Sequence, residues 1–168
     1  MTLSPRVALH SLLFTAILTL AGCSALFSVE TPDVLDFATL VRADSPNQFI
    51  VCPTGKCPGV DPDRMSPVFD VAESDLRKAW DAVTSTAPRT DRLATFLDGG
   101  QVVDVQRSAV FKFPDLVTTE FFAIGERRST LAIYSRAVYG LSDFGMNEKR
   151  ITRWLHGLES ALEDRVGR

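Results

Sequence analysis

Between Leu93 and Arg136 the chain passes through five short apolar segments, each closed by turn or breaker residues, and this stretch restricts the fold more than any other. Leu93–Leu97 and Gln101–Gln106 flank Asp98-Gly99-Gly100, and Val102, Val103 and Val105 supply β-branched side chains that suit a pleated surface, so a hairpin is expected. Val110–Phe113 is expected to continue the sheet until Pro114-Asp115 breaks it. Val117–Ile124 and Ser129–Arg136 enclose Gly125-Glu126-Arg127-Arg128 as a second hairpin. On either side the period changes. Leu76, Ala79, Trp80 and Val83 recur at helical intervals, which predicts a helix over 71–85, opened by Asp70 and Glu73 at capping-box spacing and ended before Pro88. Ile151, Trp154, Leu155, Leu158 and Leu162 form the apolar stripe of a C-terminal helix. The order implies a single α+β domain, an antiparallel sheet of about five strands covered on one face by two helices, with Trp80 and Trp154 in its core.

The first 22 residues have a different character. Arg6 is followed by an apolar run from Val7 to Leu20 with no acid, which has the n-region and h-region of a secretory signal and is too short to span a bilayer. It ends in Leu20-Ala21-Gly22-Cys23, which resembles the lipobox of bacterial lipoproteins. That resemblance implies cleavage before Cys23, acylation of its thiol and tethering to a membrane, since several acyl chains anchor stably where one holds only marginally. Ser24 after the cysteine implies, on the same analogy, an outer-membrane anchor facing the periplasm.

The chain therefore divides into a signal peptide (1–22), a lipidated cysteine with its spacer (23–44) and a domain (45–168). The mature part has 146 residues, enough for one core. It carries 17 basic against 21 acidic side chains, because the signal removes Arg6 alone, and this mild acidity argues against nucleic acid as a partner. In the spacer, Thr31-Pro32-Asp33 reads as a helix start, with Val34, Leu35, Ala38 and Val41 at helical spacing, so a short helix is expected.

Residues 45–67, with five prolines, read as loop. Within them Cys52 and Cys57 are five positions apart; in an exported protein a loop disulfide is expected, with a redox pair as the sharper alternative. A zinc site lacks ligands, because the mature chain adds only His156 to these thiols. No residue pattern asks for a cofactor.

The remaining chemistry is concentrated in Tyr134–Ile151, where Ser135, Arg136, Gly140, Ser142, Asp143, Gly145, Asn147 and Arg150 lie between the last strand and the last helix. Read as a corner, Ser142 or Asn147 caps the helix, the two glycines supply special backbone conformations and Asp143 pairs with Arg136 or Arg150. Read as a site, Arg136 and Arg150 converge on a phosphate or carboxylate beside the helix N-terminus. Catalytic motifs fail: Phe144 replaces the second glycine of a nucleophile elbow, and Asp143-Phe144-Gly145 lacks every other kinase element. His156 lies off the apolar stripe and reads as a surface residue.

Ser45-Pro46-Asn47, the Ser108–Asp115 segment with Phe111, Phe113 and Pro114, and above all Ser135-Arg136-x-x-x-Gly140-x-Ser142-Asp143-x-Gly145-x-Asn147-x-x-Arg150 resemble the DUF1499 family of uncharacterised bacterial proteins. Gln48 stands where members often have cysteine, and Tyr134 where arginine is preferred. The resemblance implies no agreed activity. The sequence thus supports a tethered, non-enzymatic module that binds a small anionic or lipidic ligand or an envelope partner, with the Arg136 corner and the helix-free sheet face as candidate surfaces. A purely structural envelope protein and a hydrolase using an unrecognised pair of acids are the alternatives.

Overall fold

The computed structural model describes residues 27–98, 100–140 and 142–166, and residues 31–168 fall in one compact unit. The expected signal peptide, Cys23 and Ser24 lie outside the described residues. The elements run β1 (Gln48–Cys52), β2 (Arg64–Met65), α1 (Glu73–Thr86), β3 (Thr90–Phe96), β4 (Gln101–Arg107), β5 (Pro114–Gly125), β6 (Arg128–Ala137) and α2 (Met146–Val166). They build one sheet in the order β2-β1-β6-β5-β4-β3. Only β1 with β2 is parallel; the other four pairings are antiparallel, so the α+β class holds with a six-stranded mixed sheet.

Both predicted hairpins form, and both helices pack on the same sheet face. Leu76, Trp80, Ile151, Trp154 and Leu158 meet Val102, Val117, Phe121, Leu131 and Ile133 in one buried cluster. Trp80 is its centre: its ring stands edge-on to Trp154 at 5.7 Å and to Phe121 at 6.5 Å, the arrangement that aromatic quadrupoles favour. His156 is exposed, as its place off the stripe required.

Four local expectations fail for identifiable reasons. The segment 45–67 is not all loop, because Gln48–Cys52 is β1, buried at all five positions. Pro46 and Pro53 bound this strand instead of breaking it. Val110–Phe113 is not a strand but a loop at the sheet's end, and β5 begins at Pro114, the first strand residue, where the absent N–H costs nothing. The capping box is not made: Glu73 turns to Arg77 at 2.7 Å, and the N-cap Ala72 has no side-chain bond to give. The spacer helix is replaced by a turn, because the Asp36 carboxylate accepts from the Ala38 N–H at 2.9 Å and the Thr39 hydroxyl at 3.1 Å, competing with helical bonding.

The second sheet face is not open either. Phe37 and Leu40 cover it, packing with Ile50, Cys52, Cys57, Ala132 and Tyr134. The expected disulfide, Cys52–Cys57, lies in this cluster. Strand alternation explains why β1 is buried throughout: Phe49 and Val51 face the helices, while Ile50 and Cys52 face Phe37 and Leu40. The same rule separates Phe121, under the helices, from Phe122, which packs on the second cluster beneath the Lys56 ammonium.

A polar clamp joins the layers. Asp104 on β4 is 1% exposed and accepts from Arg92 of β3 at 2.7 Å, while Arg92 also reaches Asp81 of α1 at 2.7 Å. Burial holds the Asp104 carboxyl above its ordinary range despite Arg92, and burial does the same for Asp115 against Arg150 and for Glu120 against Gln101. A carboxyl whose folded pKa is raised carries more protons folded than unfolded between the two values, so its contribution to stability falls as pH rises through that window. Asp104→Asn is therefore expected to remove part of a gain in stability that the wild type shows on acidification towards 3.8, the ordinary aspartate value. Melting temperatures recorded across pH check this; parallel profiles for the two proteins would contradict it.

Candidate functional site

The connection from β6 to α2 is assembled around one buried guanidinium. Arg150, 3% exposed on the second turn of α2, donates from Nε to Gln106 Oε1 at 2.7 Å, from Nη1 to Ser135 Oγ at 2.9 Å and Asn147 Oδ1 at 2.6 Å, and from Nη2 to the Asp115 carboxylate. One side chain thus ties the helix to β4, β5 and β6. Asn147, 1% exposed, adds the fourth strand: its Nδ2 donates to the Asn47 carbonyl at 3.0 Å, just before β1, while its Oδ1 also accepts from Ser135 Oγ at 2.6 Å.

Asp143 caps α2. Its Oδ1 accepts the Gly145 N–H at 3.0 Å, and its Oδ2 accepts the Asn147 N–H at 2.7 Å and Nδ2–H at 2.6 Å. The chain reaches this geometry through positive φ at Gly140 (97°), Phe144 (53°) and Gly145 (72°). Ser142 is exposed and accepts the Phe144 N–H at 3.3 Å. The cap is thus Asp143 and not Ser142 or Asn147. The ion-pair partner of Arg150 is Asp115, with Asp143 turned to the helix N-terminus.

Arg136 does not join Arg150. Successive strand residues point to opposite faces; because Ser135 bonds Arg150 beneath α2, Arg136 is delivered to the far side of the sheet. It borders a cleft of about 330 Å³ with Ser45, Asn47, Gln48, Tyr134 and Gly140. The walls are tied by hydrogen bonds. Tyr134 Oη donates to Gln48 Oε1 at 3.1 Å, Gln48 Nε2 donates to the Ala43 and Ser45 carbonyls at 2.6 Å each, Ser45 bonds the Asn47 side chain, and Asn47 Nδ2 donates to the Gly140 carbonyl at 2.7 Å. The half-buried side chain of Arg136 makes no hydrogen bond or ion pair among the described residues. Burial raises the Tyr134 phenol above its ordinary value, against the pull of the Arg136 and Arg42 charges.

Ser135, Asp143, Asn147 and Arg150 are therefore brought together, with Gly140 and Gly145 shaping their backbone, and Arg136 is set apart. The sequence reading overlooked Gln106 and Asp115 as members of the buried network and Gln48 as a wall of the cleft. The register Gln48↔Arg136 between β1 and β6 could have signalled the last, had β1 been recognised as a strand. Among the described residues no group of three or more His, Cys, Asp or Glu is placed to hold a metal.

A search of curated proteins finds no match. A family model described as "Protein of unknown function (DUF1499)" matches residues 40–158, from Leu40 on the second sheet face through both the Arg136 cleft and the Arg150 network to Leu158 of α2. With most of its length inside that match, the chain belongs to the DUF1499 family.

Proposed function

We propose that the protein is a non-enzymatic binding module, tethered to the bacterial envelope by acylated Cys23 and facing the periplasm, that takes a small anionic group in the Arg136 cleft. The tether rests on the signal-like run and the Leu20–Cys23 pattern; no helix among the described residues is long and apolar enough to cross a membrane. The binding reading rests on one contrast. Arg150 has a partner at every nitrogen and serves as a strut, whereas Arg136 holds its charge at an open, polar-walled cleft without a partner among the described residues. A guanidinium so placed suits a carboxylate or phosphate, which it can grip through two parallel N–H bonds. The purely structural alternative accounts for the Arg150 network but leaves Arg136 unexplained. The hydrolase alternative draws no support from this corner, where Asp143 is engaged by α2 and Asp115 by Arg150.

Titration calorimetry with inorganic phosphate and with succinate checks the reading. Arg136→Gln is expected to weaken binding at least about ten-fold, the value of one charge-assisted contact, while shifting folding stability by no more than about 0.5 kcal/mol. Equal affinities in the two proteins, or no binding of either anion at millimolar concentration, would remove the cleft as the site.

A further inference from the structure

The end of the sheet that carries the Arg136 cleft also carries an exposed aromatic surface. Val110 is 77% exposed, Phe111 67% and Phe144 86%, and Phe113 and Tyr139 stand partly in solvent beside them. The Phe111 and Phe113 rings stack at 5.5 Å, and Phe113 meets Tyr139 at 6.4 Å. The two features are continuous. Tyr139 sits between Val138 and Gly140, which both line the cleft, and the Val138 N–H bonds the Pro114 carbonyl at 3.1 Å, next to Phe113.

The exposure is built in. The Ser108 N–H donates to the Phe113 carbonyl at 2.9 Å, the Phe113 N–H donates to Ser108 Oγ at 3.0 Å, and the Lys112 ammonium holds the Ala109 carbonyl at 3.0 Å. This closed loop, with Lys112 itself at φ 58°, pushes Val110 and Phe111 outward where they could have folded back. Phe144 is also held outward from a left-handed backbone position. Conformations of that kind cost free energy and persist where the surroundings or a function fix them.

Charge identifies the occupant. Residues 107–113 and 134–142 contain Arg107, Lys112 and Arg136 and no acid, on a chain whose net charge is −3. The adjoining acids are Asp115 and Asp143, half-buried and held by Arg150 and by the start of α2, and the exposed Asp44 and Glu148. Aromatic side chains ringed by basic ones match an anionic lipid surface: rings settle at the headgroup level while lysine and arginine reach the phosphates. Residues 24–30, between the acylated Cys23 of the preceding proposal and the compact unit, can extend at most about 25 Å, so the tether would keep the domain near a bilayer.

We infer that this end of the domain seats on an anionic membrane, Val110, Phe111 and Phe144 entering the interface and Arg136 receiving the phosphate of a lipid headgroup. The inference rests on the Arg136 reading above and names its ligand. Its test is hydrogen–deuterium exchange on the full chain reconstituted in vesicles of phosphatidylglycerol or of phosphatidylcholine. Amides of 107–113 and 138–146 are expected to exchange at least about ten-fold more slowly on phosphatidylglycerol. Val110→Ser/Phe111→Ser, at exposed positions that leave the core intact, should abolish that protection while leaving inorganic phosphate binding unchanged. Arg136→Gln should abolish the preference for phosphatidylglycerol. Phosphate binding at Arg136 with no protection on either vesicle would overturn the membrane inference and leave the anion site standing. A preference for phosphatidylglycerol that survives Arg136→Gln would overturn the headgroup assignment, and a wild type that binds inorganic phosphate no better than Arg136→Gln would take the Arg136 reading with it.

Discussion

Arg150→Ala is expected to destabilise the domain by about 3–5 kcal/mol, the cost of removing one partner from a buried, hydrogen-bonded charge pair. The substitution does more than delete contacts. It strands the Asp115 carboxylate, which burial already disfavours, and leaves Gln106 Oε1 and Ser135 Oγ without their shared donor. It also removes the ties from α2 to β4 and β5 and leaves only the Ser135–Asn147 bond to β6 among the polar ties described. For a chain of this size the loss corresponds to a fall of roughly 10–15 °C in melting temperature, followed by circular dichroism. Arg150→Lys should recover only part of it, because an ammonium cannot present the planar fork that reaches Gln106, Ser135, Asn147 and Asp115 together. Arg150→Met with Asp115→Leu should do better than Arg150→Ala alone, since no uncompensated charge remains. A loss below about 1 kcal/mol for Arg150→Ala would mean that α2 is held by Ile151, Trp154 and Leu158 without help from the network.

The contrast between Arg150 and Arg136 shows how far a sequence can carry such an argument. Strands announced by β-branched runs between turn residues, such as Gln101–Arg107, and helices announced by Trp80 or Trp154 at helical spacing were legible, because local period and core burial agree there. β1 was hidden because its pattern is continuous burial, not alternation, and because the prolines beside it read as loop. The eight corner residues could be gathered from one motif, but their division into two groups could not. That division depends on the parity of Ser135 and Arg136 on β6 and on which strand lies across from each. It sends Ser135 to Arg150 and Arg136 to Gln48. Asp115 lay in view within Pro114-Asp115 but read as a breaker; only the β5 register, Asp115↔Ala137, brings it to the helix.

Phe37→Ala is expected to cost about 3–5 kcal/mol, as for other buried phenylalanines, although Phe37 lies in a segment whose sequence reads as a spacer. Phe37 is 2% exposed and Leu40 6%, and both pack on Ile50, Ala132 and Tyr134. The segment is also fixed at each end. The Leu35 N–H donates to Gln101 Oε1 at 3.0 Å and its carbonyl accepts from Gln101 Nε2, a pairing that holds the chain to β4. Arg42 bonds the Asp61 carbonyl at 2.8 Å and pairs with Asp63 at 3.1 Å, across the disulfide loop. The chain just past that loop lies close over Leu40, and Gly59 permits it: a Cβ there would stand 2.9 Å from the Leu40 carbonyl oxygen, closer than carbon and oxygen can pack. Urea unfolding of the wild type and Phe37→Ala measures the difference, and a single shared transition would place residues 31–44 inside the cooperative unit of the domain. A loss under about 1 kcal/mol would return the segment to the status of a linker. Ile50 and Ala132, both fully buried, would then need another cover, and the tether proposed from Cys23 would have to be counted as far as Ser45 and not Thr31.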